Sequence, residues 1–197
     1  MQTILPVYPV MPPIDNHWIV PYGNSSATTS LSGGGNYINH LPLYIASPCQ
    51  LIEIGCRTTV AAVNPQSIVV GMYAVNQSSN YLPLKIVTPR DKVISLQGAT
   101  GYKSVAITAD LDTGWYWISY GQELAAAGAT IIRIPSVPQG YLLPYDTNNP
   151  ASATTGLQTT GYTYDGVLPD IIDPVAMPTV MLITFGIIRM QAKVRVR

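Results

Sequence analysis

Proline and glycine punctuate this chain from end to end, at 17 and 16 of its 197 residues. Proline breaks helices and glycine favours turns, so this spacing suits short strands joined by turns. The runs between them read accordingly. Residues 51–60 alternate, with Ile52, Ile54 and Cys56 against Glu53, Gly55 and Arg57, the period of a half-buried strand. Residues 67–75 form a more apolar strand closed by the turn-forming run at 76–80. Further strands are expected at 44–45, 84–88, 92–96, 103–108, 115–120, 130–134 and 179–190, with WYWISY at 115–120 the strongest strand former. Only QELAAA at 122–127 suggests a helix, closing at Gly128. About eight or nine short strands with almost no helix predict an all-β fold, a single β-sandwich of jelly-roll or Greek-key type.

Charged residues are 10% of the chain and cancel, ten Lys and Arg against ten Asp and Glu. That argues against a basic nucleic-acid footprint and an acidic solvating tail, so no nucleic-acid partner is expected. The 47% hydrophobic content excludes wholesale disorder, and 197 residues suffice for one domain with one core. Cys49 and Cys56 fall in one strand, about 23 Å apart at roughly 3.3 Å per residue, too far for a disulfide. Neither has a His or Cys at metal-ligand spacing, so two free thiols and no metal are expected. The first basic residue is Arg57, and no secretory signal is read before it. The longest apolar run, 180–188, is interrupted by Thr184 and Gly186 and is about half of a membrane-spanning helix. No membrane partner is expected.

Residues 1–35 read as an arm and linker, and 36–197 as the sandwich domain. Pro6, Pro9, Pro12, Pro13 and Pro21 hold the arm extended. Ile4, Leu5, Val7, Tyr8, Val10, Met11 and Trp18 would make it a poor free tail, so it is expected to lie in a groove, preferentially of a neighbouring subunit. The small polar residues of 24–35 read as a flexible linker. Thirteen Tyr against one Phe mean that aromatic volume here comes with a hydroxyl, at sheet edges or on a contact surface. The Pro- and Tyr-rich stretch 135–178 lacks periodicity and is expected to be an ordered excursion over one end of the sandwich, with Tyr141, Tyr145, Tyr162 and Tyr164 as surface contacts. Arg189, Lys193, Arg195 and Arg197 gather four of the ten basic charges at the C-terminus, as a solvated strand or a dock for an acidic surface.

Catalytic constellations are not read. His17 and His40 have no companion His, and nucleophile-elbow, phosphate-loop and metalloprotease motifs are missing. Asp110 and Asp112 flank a turn, where carboxylates usually form the turn itself, although a glycosidase pair is conceivable. Asp165, Asp170 and Asp173 are scattered over a loop and at most suggest calcium. Trp115 and Trp117 alternate to one face of their strand, a carbohydrate platform if exposed and a core strand if central.

Several short segments carry a resemblance: Gly71-Met-Tyr-Ala-Val-Asn76, Leu82-Pro-Leu84, Gly98-Ala-Thr-Gly101 and Asp110-Leu-Asp-Thr-Gly-Trp-Tyr-Trp-Ile118, extended weakly by Gly166-Val-Leu-Pro169. Together they resemble the β-sandwich domains of bacteriophage tail-fibre, decoration and other virion-surface proteins. The resemblance implies a non-enzymatic structural protein with no cofactor, assembled in the host cytoplasm and carried on the virion exterior. No shaft or repeat precedes the sandwich, which favours a capsid decoration or cement subunit over a fibre tip. Its expected partners are further copies of itself, as a homotrimer, and the major capsid protein or other virion proteins. The alternatives are a tail-fibre or baseplate adhesin that touches a host-surface glycan, and a free carbohydrate-binding module.

Overall fold

The computed structural model describes residues 12–19, 28–30, 36–76, 82–123, 129–132, 156–173, 175–182 and 190–197, and among them there is no helix. In chain order the strands are β1 (His17–Ile19), β2 (Thr28–Ser30), β3 (Tyr37–Ile45), β4 (Cys49–Val60), β5 (Ser67–Asn76), β6 (Leu82–Ile86) and β7 (Lys92–Ser95). They continue with β8 (Gly101–Leu111), β9 (Gly114–Gln122), β10 (Thr130–Ile132), β11 (Gly156–Thr160), β12 (Thr179–Leu182) and β13 (Gln191–Val196).

The strands form two antiparallel sheets that pack as a β-sandwich. Sheet A runs β1-β13-β4-β10-β2, with β8 on the other edge of β4. Sheet B runs β12-β11-β3-β9-β5, and β6 and β7 share the far edge of β5. Most neighbours come from distant parts of the chain, since successive strands change sheet after β2, β3, β4, β7, β8, β9, β10 and β12. The WYWISY run lies centrally in sheet B as β9, between β3 and β5.

The inner faces meet in one core. Sheet B contributes Leu41, Leu43, Ile45, Ile68, Val70, Met72, Ile118 and Tyr120, and sheet A contributes Leu51, Ile54, Ile107, Leu111 and Val194 among others. Each such side chain stabilises the fold by about 1.5–3 kcal/mol on full burial. The unbroken alternation read along 51–60 needs one correction. A bulge between Leu51 and Glu53 opposite β8 turns Leu51 inward and leaves Ile52 half-buried, while Ile54 and Cys56 remain inside. Cys49 and Cys56 are buried free thiols. Burial pushes both upward from the ordinary thiol range, Cys56 to about 12.

A second apolar layer lies outside sheet B. Ile38, Val69, Tyr73, Trp117 and Leu157 project there, and residues 162–172 fold over them with Tyr162, Leu168 and Ile172. Backbone bonds tie the cover down: Leu168 N donates to Arg90 O at 2.9 Å, Ile86 N to Asp170 O at 3.0 Å and Ile172 N to Leu84 O at 2.8 Å. Glycines make the close approach possible, since a Cβ on Gly121 would stand 2.7 Å from the Tyr162 ring and one on Gly71 2.9 Å from Leu168 Cδ1. Tyrosine hydroxyls complete it. Tyr73 donates to Pro169 O at 2.6 Å, Tyr162 to Val167 O at 3.1 Å, and Tyr164 Oη lies 2.7 Å from Ser67 Oγ. Phe would fill these places but leave the carbonyls of a non-strand segment without partners.

Three expectations change here. The described part of 135–178 covers a face of sheet B rather than an end, and it supplies β11 from a Gly- and Thr-rich run with little apolar pattern. Residues 133–155, with Tyr141 and Tyr145, lie outside the described residues. Gln122 closes β9, so no helix begins there, and 124–127 lie outside the described residues. The first 35 residues are not all arm and linker, because β1 pairs with β13 and β2 pairs with β10.

Candidate functional site

The outer faces of the two sheets differ, and that difference locates the site. On sheet B the outward residues Tyr44 and Trp115 are half-buried, while Ile38, His40, Val69, Tyr73 and Trp117 farther along the same face are closed over. At their centre His40 presents Nδ1 to Ser119 Oγ at 2.6 Å and Nε2 to Thr159 Oγ1 at 2.9 Å, with Tyr73 and Trp117 edge-on to its ring. His40, Ser119 and Thr159 are fully buried. Desolvation lowers His40 to about 3, so the imidazole is neutral at ordinary pH and one ring nitrogen donates while the other accepts. A serine hydrogen-bonded to a histidine invites comparison with a nucleophile and its base. Here the hydroxyl lies under the cover, beyond a substrate's reach, and the pair knits β3, β9 and β11 together.

On sheet A the outer face is open. β8 turns Tyr102, Ser104, Ala106, Thr108 and Asp110 to solvent, while Ile107, Ala109 and Leu111 point into the core. Across the sheet, β1 carries Trp18 opposite Lys193 of β13, Lys193 stands opposite Glu53 of β4, and Gly55 stands between Gln191 and Ser104. Trp18 and Tyr102, from strands separated by two others, reach toward each other, with ring centroids 4.7 Å apart and planes inclined at 61°. Gly55 is the floor of this arrangement. A Cβ there would stand 2.7 Å from Lys103 O and 2.9 Å from Tyr102 Oη, so any side chain would lift the tyrosine.

Polar groups frame the rings. Tyr102 Oη donates to Gln191 Oε1 at 2.9 Å, Lys193 Nζ donates to Glu53 Oε1 at 3.1 Å, and Ser104 Oγ donates to Glu53 Oε2 at 3.0 Å. Lys193 Nζ also lies 5.9 Å from the Trp18 ring centre, within cation–π range. Lower on the same face Arg197 pairs with Asp110, which also accepts from Gln50 Nε2 at 3.3 Å. Chemically this is an aromatic ledge with hydrogen-bonding groups on its rim. No group of three His, Cys, Asp or Glu residues that could hold a metal occurs among the described residues.

The residues singled out in the sequence are distributed as follows. Ile4, Leu5, Val7, Tyr8, Val10, Met11 and Arg189 lie outside the described residues. Trp18, expected to dock in a partner, instead packs on its own chain, held by β1 and a turn in which Asn16 N donates to Val194 O at 2.9 Å. Tyr162 is buried rather than a surface contact, because Gly121 admits it against sheet B, and Tyr164 is half-buried. Of the basic tail, Lys193 and Arg197 are ion-paired and Arg195 is exposed beside them. Trp117 is buried under the cover, so it forms no platform with Trp115, which instead lies 5.1 Å from Tyr44. Asp165 and Asp173 accept from Val167 N and Val175 N, as turn formers do.

Sequence reasoning missed Tyr102, Glu53, Gln191 and Gly55. The alternation of β8 signals an exposed face, but the meeting of β1 with β8 across β13 and β4 has no local trace. No known protein family, curated protein or solved structure matches this chain.

Proposed function

We propose that the chain is a non-enzymatic structural subunit of a bacteriophage virion, carried on the particle exterior as a capsid decoration or cement protein and docked through the N-terminal arm. The observation that carries this reading is where the root of the arm lies. Residues 14–19 are fastened to sheet A: His17–Ile19 pair with Ala192–Val194, Val196 N donates to Asp15 Oδ1 at 3.2 Å, and Trp18 rests on Tyr102. A partner that grips residues 1–11 therefore pulls on an edge of a closed sandwich, not on a loose tail. The short segments that resemble those of virion-surface sandwiches, and the low, balanced charge, support the same reading.

The test is stoichiometry in purified particles, by quantitative mass spectrometry, together with deletion of residues 1–11, which spares β1. Copies comparable with the major shell protein, and a folded truncated protein that no longer binds the particle, are expected. Absence from particles, or undiminished binding after the deletion, would overturn the reading. Only a few copies per particle would move the protein to the tail as an adhesin, a role that the open aromatic ledge of sheet A also suits.

A further inference from the structure

We infer that the Trp18–Tyr102 ledge on the outer face of sheet A is a saccharide-binding site. This goes beyond the virion reading and stands if that reading fails. The rings are half-buried and exposed respectively, Tyr102 at 43%, so aromatic surface is held in water beside the polar groups of Glu53, Ser104, Gln191 and Lys193. Much of the Tyr102 ring stays in water, yet both rings are held in place by the missing Cβ of Gly55 and by the bond from Tyr102 to Gln191.

The hydrogen-bonding groups around the ledge point to the ligand's chemistry. The indole N–H of Trp18 and the side-chain amide N–H groups of Gln191 have no acceptor among the described residues. Glu53, the nearest carboxylate, is already engaged by Lys193 and Ser104. The site therefore offers donors beside aromatic rings, and its ligand supplies acceptors beside an apolar face. A pyranose does this: its C–H face stacks on an aromatic ring while its ring, hydroxyl, acetamido or carboxylate oxygens accept. A nucleic acid would want unpaired cations at this spot, whereas Lys193 is neutralised by Glu53. An extended peptide would bind by backbone bonds along a sheet edge, whereas the two rings, carried by the edge strands β1 and β8, meet over the face of β13 and β4 between them.

Saturation-transfer NMR on the full chain, with a panel of glucose, galactose, N-acetylglucosamine and glucuronate oligosaccharides at millimolar concentration, tests the inference. Two conservative variants locate the site. Gln191→Glu keeps an acceptor for Tyr102 but removes the amide donors, and Trp18→Phe keeps a ring on Tyr102 but removes the indole N–H. Saturation transfer to at least one panel member is expected, with affinity falling about tenfold or more in each variant, the scale of one lost donor bond. Neutral and acidic panel members separate hydroxyl from carboxylate recognition. No transfer to any member, or wild-type affinity in either variant, would overturn the assignment.

Discussion

Sheet A and sheet B use the same alternation of inward and outward residues, yet one outer face is closed by the chain itself and the other is left open. Sheet B points Ile38, His40, Val69, Tyr73 and Trp117 outward, too apolar to leave in water, and residues 162–172 cover them. Sheet A points Ser104, Thr108, Asp110, Gln191 and Lys193 outward, and among this mainly polar set stand Ala106 and the two rings of Trp18 and Tyr102. An outward apolar cluster that is covered contributes to stability. An outward aromatic pair left partly in water contributes less, and its fixed geometry invites explanation by what it meets.

Substitutions should separate the two faces by size of effect. Leu168→Ala empties a fully buried place in the cover and should cost about 2–5 kcal/mol in urea unfolding. Acid comes next. His40 is held well below its ordinary 6.5, so its contribution is fully present above about pH 6.5 and is lost as pH falls toward about 3. The unfolding free energy from urea titrations should therefore fall over that window by up to roughly 1.4 kcal/mol per pH unit, and His40→Gln should flatten the slope. Tyr73→Phe removes the donor to Pro169 O and should cost about 1 kcal/mol, a value measurable in the same unfolding series. On the open face, Glu53→Gln breaks a partly exposed ion pair and should shift stability by less than about 1 kcal/mol, an effect that added salt reduces. A loss from Glu53→Gln as large as that from Leu168→Ala would mean that the faces do not differ as described.

The fold was largely legible, because strands carry their signal locally. The apolar run of β5 and the aromatic run of β9 could be placed by residue type alone, and the free thiols follow from two cysteines in one extended segment. What was not legible depends on contacts between distant residues. β11 has sequence GLQTT and becomes a strand because β3 and β12 flank it. His40 reads as an ordinary polar residue near a strand start until Ser119 and Thr159 are brought to its two nitrogens. The excess of Tyr over Phe was visible, but its cause, carbonyls in a cover that lacks a strand ladder, needed the fold. The ledge itself was invisible because four strands contribute to it and its floor is a glycine.

The three tryptophans report on the faces directly. Fluorotryptophan NMR of the full chain, with a soluble paramagnetic agent added, gives one resonance for each of Trp18, Trp115 and Trp117. Trp117, only 2% exposed beneath the cover, should keep its line width, while the resonance of Trp18 on the open face broadens strongly. Equal broadening of Trp117 and Trp18, or a protected Trp18, would contradict the division into one closed and one open face.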